Sequence, residues 1–242
     1  MPELRPPAVE MASHKSIEIE KPLRLGEIFA QAVRVYGERF WAALGIGAVV
    51  AAAFVAGGYL HPAAAIVLLS LVFTGAWAAA TRVVAGDAFR DAWARVALHV
   101  APLLVFTVVA SLPFALAVSQ LYLILFAVAW LALTGFAIPV IVSEPASAGE
   151  SSLLQRLGFG LTRSLELARA EYFHAAGVIA ALVVVYVLIG LLLTITLAGF
   201  ADNTAGAAAA LVQLVMAPFF FLGLAILYFE QRTRAISSRP RR

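Results

Sequence analysis

Three long apolar blocks without a single lysine or arginine constrain this chain more than any other feature. They cover residues 40–81, 96–143 and 172–229. A membrane-spanning helix needs about 20 apolar residues, so each block is long enough for two spans. A water-exposed helix would need a polar face, and none of the blocks supplies one. Composition agrees: of 242 residues, 63% are apolar and 13% charged, against about 25% charged in a typical soluble domain.

Each block is interrupted near its middle by residues that favour turns. In the first these are Gly57-Gly58-Tyr59-Leu60-His61-Pro62. In the second they are Ser119-Gln120, with Ser111-Leu112-Pro113 as a rival. In the third they are Asp202-Asn203-Thr204. The pattern predicts an all-α polytopic membrane protein with six transmembrane helices in three hairpins, near 41–59, 63–81, 100–118, 122–142, 174–198 and 207–229. All 17 Lys and Arg residues fall outside the blocks. By the positive-inside rule, both termini and the two inter-block segments face the cytoplasm. Residues 1–22 are rich in proline and mixed charge and hold no apolar run of the signal-peptide kind. They read as a disordered cytoplasmic tail. Residues 23–231 form the membrane domain, and 232–242 a basic cytoplasmic tail.

The segments that precede the blocks repeat one plan, an interfacial amphipathic helix on the cytoplasmic side leading into a hairpin. Before the first block, Leu25, Ile28, Phe29, Ala32, Val33, Tyr36 and Phe40 recur at helical spacing, with Arg24, Glu27, Gln31, Arg34 and Glu38 between them. Residues 87–99 place Phe89, Ala92, Trp93 and Val96 on one side. Residues 150–171 do the same with Leu153, Leu154, Leu157, Leu161, Leu165 and Ala168. Phe40-Trp41 in the first copy aligns with Tyr172-Phe173 in the third. Two settings stay open for these helices: the inner-leaflet surface, or the outside of the protein's own bundle. On the first setting Arg24, Arg34, Arg39, Trp41, Arg163, Arg169, Arg232 and Arg234 contact lipid headgroups, since Arg snorkels and aromatic rings favour the interface.

No motif that carries chemistry stands out. His14, His61, His99 and His174 show no metal-ligand spacing, there is no phosphate-loop signature, and cysteine is absent. No catalytic, cofactor-binding or metal-binding residue is assigned. Glu144 and Glu230 close apolar runs and read as partners for interfacial arginines. Thr74, Thr107, Ser111, Thr134, Thr194, Thr196 and Gln213 are polar groups inside the spans and read as packing elements. Pro113, Pro139 and Pro218 predict kinks. Ala48, Ala52 and Ala56, four apart in a small-residue run, predict a close helix contact within the bundle or across a dimer. The basic residues lie in short segments beside apolar runs, which argues against a nucleic-acid partner.

The stretch LRLGEIFAQAVRVYGERFWAALGI resembles the entry segment of the membrane domain attached to some bacterial glycerophosphoryl diester phosphodiesterases. PVIVSEPASAGESSLLQRLGFGLTRSLELARAEYF is similar to that domain's mid-chain signature, with Arg163-Ser164 in the Arg-Ser place. LYFEQRTR resembles its exit. The resemblance runs from about residue 23 to 234. It implies architecture: the domain in stand-alone form, in a bacterial inner membrane, without the catalytic barrel of the enzyme. The expected function is non-enzymatic, a scaffold or regulator of a membrane partner or a lipid-interacting module. The alternative is a small-molecule or lipid transporter. The expected partners are membrane lipid and another membrane protein or a second copy, with no cofactor.

Overall fold

The structure is a computed structural model and describes residues 22–119, 123–144, 152–198 and 205–237. Among these residues it is all-helical. The elements are α1 (Leu25–Glu38), α2 (Phe40–Gly57), α3 (Pro62–Val84), α4 (Phe89–Leu98), α5 (Val100–Ser119), α6 (Leu123–Thr134), α7 (Ala137–Ser143), α8 (Leu153–Ala170), α9 (Tyr172–Ala198) and α10 (Ala205–Ser237). Among the described residues, five stretches are long and apolar enough to cross a membrane: Phe40–Gly57, Pro62–Val84, Leu125–Ser143, Tyr172–Leu193 and Gly206–Ser237. A sixth is counted if α4 and the start of α5, bent by 81°, form a single span.

The bundle is built around α10. It packs on α1, α2, α3, α8 and α9, and most of its residues from Met216 to Tyr228 are buried. Its tightest approach is to α2. Pro218 has no N–H to give the Leu214 carbonyl one turn earlier. That carbonyl faces Gly47, where an added Cβ would lie 2.0 Å from the oxygen and 2.8 Å from Pro218 Cγ. Only a residue without a side chain lets the two backbones meet there. The helix itself continues through Pro218.

Pro139 acts differently. Its ring crowds the carbonyl four residues before it, which belongs to Gly135, and the helix breaks there: α6 ends at Thr134 and α7 starts at Ala137. Ile138 donates to the Gly135 carbonyl at 3.1 Å in place of the missing proline N–H. The indole of Trp77 fills the notch, since a Cβ on Gly135 would lie 2.5 Å from its ring. The helix predicted at 122–142 is therefore two helices. Pro113, by contrast, lies inside continuous α5, so Ser111-Leu112-Pro113 is not a turn.

α2 ends at Gly57 and α3 begins at Pro62, with His61 Nδ1 accepting from the Ala63 N–H at 3.4 Å. α5 ends at Ser119. Gln120 and Asp202-Asn203-Thr204 lie outside the described residues, as do 1–21, 238–242 and the side chains of Ser111 and Thr194. α10 extends to Ser237 and takes residues 232–237 into the helix. The small-residue expectation for α2 is corrected for the bundle. Ala48, Ala52 and Ala56 are exposed, and the packed face is Ala43, Ile46, Gly47, Val50, Ala53 and Gly57. A helix apolar on every side has no period to mark its packed face. Here the close approach of the Leu214 carbonyl selects the face that bears Gly47.

Thr74, Thr81, Thr107, Thr134 and Thr196 each donate to the carbonyl four residues earlier in their own helix, at 2.8 to 2.9 Å. This internal bond satisfies a hydroxyl in an apolar helix without an outside partner.

The charged helices α1, α4 and α8 each end one residue before an apolar helix begins. The break residues are Arg39, His99 and Glu171. Arg39 (φ −121°, ψ 37°) and His99 (φ −111°, ψ 18°) take nearly the same conformation, and Glu171 (φ −161°, ψ 74°) differs. The repeat in the sequence is thus a repeat in element order: charged helix, one-residue break, apolar helix.

Candidate functional site

The charged side chains gather where α3, α7 and α10 end, in three clasps. At the first, Gly86 takes φ 114°, a conformation that suits glycine. The turn returns Asp87, whose N–H donates to the Arg82 carbonyl at 3.0 Å. The Asp87 carboxylate accepts from Arg82 Nε at 2.7 Å and lies 3.1 Å from Arg95 Nε of α4. Arg39, in the break between α1 and α2, donates to the Val83 carbonyl at 2.5 Å. Burial pushes the Arg39 guanidinium below its ordinary pKa, opposed by the Glu38 and Asp87 carboxylates.

The second clasp joins α7, α8 and α10. Glu144 follows α7 directly and receives Arg163 Nε of α8 at 3.3 Å and Tyr228 Oη of α10 at 3.1 Å. Arg163 Nη1 also donates to Glu166 at 2.8 Å. Burial works against the Arg163 charge, but the two carboxylates outweigh it and hold the guanidinium above its ordinary pKa. The next residue, Ser164, is fully buried and donates to the Leu133 carbonyl at 2.7 Å, just before the α6–α7 break. The Arg-Ser pair therefore fastens α8 to both halves of the broken helix.

The third clasp closes the chain on itself. Arg234 of α10 pairs with Glu230 one turn back and with Glu171, and its Nη2 donates to the Leu23 carbonyl at 3.0 Å. Glu230 is fully buried and also accepts from Gln231 Nε2 at 3.1 Å. His174 Nε2 of α9 lies 3.7 Å from Glu230 Oε1. The clasps follow a cyclic order. The end of the first repeat holds α4 of the second, the end of the second holds α8 of the third, and the end of the third holds the segment that enters α1.

Exposed ion pairs are worth about 0–1 kcal/mol. These carboxylates are largely withdrawn from solvent, with side-chain exposures of 17% for Asp87, 12% for Glu144 and 0% for Glu230. Removing the cation from such a pair strands a buried charge, which costs about 3–5 kcal/mol. Each of these three carboxylates is engaged by a guanidinium. Among the described residues no three His, Asp or Glu side chains form a metal-ligand group.

The arginines expected at the lipid surface divide into two sets. Arg24, Arg34, Arg169 and Arg232 are exposed, as is Trp41; Arg34 lies 3.6 Å from Glu38. Arg39, Arg163 and Arg234 turn inward to the clasps. Glu144 and Glu230 are visible in the sequence as span-closing acids. Their partners Tyr228, Arg163 and Arg234 also bind groups distant along the chain, and no local pattern announces those contacts. No family model, no curated protein and no solved structure matches this chain, so the architecture and the clasps stand on their own geometry.

Proposed function

We propose that the protein is a non-enzymatic integral membrane protein of a bacterial cytoplasmic membrane, one that scaffolds or regulates a membrane partner. The observation that carries this reading is the use made of the charged groups. Asp87 and Glu144 each join one repeat to the next, and Glu230 holds the Arg234 that reaches Leu23, so the charged groups serve to tie the repeats together. The partners that suit such a chain are membrane lipid and another membrane protein or a second copy, not nucleic acid. The positive-inside rule supports a cytoplasmic position for the clasps and for both ends of the six-span arrangement. The stand-alone membrane domain of the phosphodiesterase type is the family this reading favours, on the residues 23–234 that resemble it.

A transporter is the second reading. It is favoured by Tyr186 of α9 donating to Gln213 of α10, a polar pair inside two apolar helices, of the kind that can line a path. Affinity purification of the tagged chain from its own membranes in mild detergent tests the first reading. A membrane protein recovered at fixed stoichiometry, with no flux of solute or lipid when the purified chain is placed in vesicles, is the expected result. Turnover of a lipid substrate by the purified chain would overturn the non-enzymatic assignment, and solute or lipid flux would move it to the second reading.

A further inference from the structure

Helices α1 and α8 pack on the bundle with one side of their apolar stripes, and Phe29, Tyr36 and Leu157 nearer the middle are half-buried against it. In α8 the stripe is Leu153, Leu154, Leu157, Leu161, Leu165 and Ala168, but the buried residues are Gly160, Ser164, Leu167 and Ala168. In α1 the stripe is Leu25, Ile28, Phe29, Ala32, Val33 and Tyr36, and the buried residues are Ile28, Ala32 and Val35. With about 3.6 residues per turn, the packed edge of each helix lies about 60° around from the centre of its stripe. The offset has the same sense in both. Each helix is therefore left with a second apolar arc outside the bundle. Val33 lies on that arc in α1 and is 61% exposed; Leu154 and Leu161 lie on it in α8, with Leu154 77% exposed.

Beyond this arc the surface turns polar. Arg34 and Glu38 follow it on α1, and Arg169 and Thr162 on α8, all exposed. Each helix thus has three arcs, one on protein, one apolar and uncovered, one polar. We infer that the uncovered arcs of α1 and α8 lie in the glycerol and upper acyl layer of the phospholipid bilayer, so that these helices are interfacial and bundle-packed at once. Continuity with the spans identifies lipid as the occupant. One residue past each helix a long apolar helix begins, and its second residue is an exposed aromatic ring: Trp41 after α1, 80% exposed, and Phe173 after α8, 88% exposed. Aromatic rings at such positions favour the headgroup level, which sets the bilayer surface beside the arcs. The polar arcs then face the water and the anionic headgroups, which attract an arginine held close to them.

This inference rests on the integral-membrane reading, and the test separates the two. The chain has no cysteine, so single-cysteine variants can carry a spin label without background. Val33→Cys and Leu154→Cys report the apolar arcs, Arg34→Cys and Thr162→Cys the polar arcs, and Leu192→Cys the outer part of α9, where the side chain is exposed. The full chain is purified and placed in vesicles of mixed zwitterionic and anionic phospholipid. Collision of each label with oxygen, which partitions into lipid, is compared with collision with a water-soluble nickel chelate. The expected result is oxygen preference at 33, 154 and 192 and nickel preference at 34 and 162. Nickel access at 33 and 154, or shielding from both reagents by protein, overturns the inference. Nickel access at 192 overturns the membrane reading beneath it.

Discussion

A methyl group at position 47 would meet the Leu214 carbonyl at 2.0 Å, and a carbonyl in a helix cannot rotate away. Gly47→Ala must therefore push α2 off α10. The expected loss of stability is about 1–3 kcal/mol, the usual cost of overpacking a filled core. Gly177→Ala is the control, since nothing lies within 4 Å of an added Cβ there; it should leave stability unchanged or raise it slightly through better helix propensity. Thermal unfolding of both variants in one detergent measures the difference. Gly45→Ala should fall between them, because the group it meets is the ring of Phe89, which can turn. The sequence shows all three as glycines in apolar helices and does not rank them. The rank comes from Pro218, far along the chain from Gly47, which leaves the Leu214 carbonyl without its usual helical donor.

The boundaries of most helices are legible in the sequence. Apolar runs free of basic residues, and the turn at 57–62, place α2 and α3 within a few residues, and the predicted 100–118 is α5 nearly whole. The periodic charged segments place α1, α4 and α8. What cannot be read is which side of an evenly apolar helix packs, as the outward turn of Ala48, Ala52 and Ala56 shows. Nor can the clasps be read, because Tyr228 and Glu144 pair across 84 positions and Arg234 and Leu23 across 211. These long-range pairs have a measurable signature. Arg234→Met leaves Glu230 buried without its cation and should cost about 3–5 kcal/mol. Adding Glu230→Gln removes the stranded charge and should recover much of that loss. The two single variants and the double variant, compared by denaturation in detergent, give the coupling. Arg169→Met removes an exposed arginine and should change stability by under about 0.5 kcal/mol.

At the scale of the whole molecule, the orientation proposed above makes a direct forecast. Reporter fusions after Tyr59 and Ser119 should read outside, and fusions after Asp87 and Gly149 inside. An inside signal at Tyr59 would remove the first hairpin. Val184 is exposed near the middle of the span Tyr172–Leu193, so Val184→Arg puts a charge toward lipid and should lower the membrane-inserted fraction, at about 2.5–3.5 kcal/mol for a central position. Quantitative blotting of the membrane fraction against the unsubstituted chain reads that loss. The central place of α10 bears on how the protein is made. Every helix it touches precedes it in the chain. As the ribosome delivers the segments in order, α2, α3 and α9 enter with the faces that α10 will fill still open, and Leu23 waits for Arg234. A chain arrested before residue 205 would hold a ring of walls without the pillar they lean on, and should be cleared by membrane proteases unless a separately synthesised α10 is supplied.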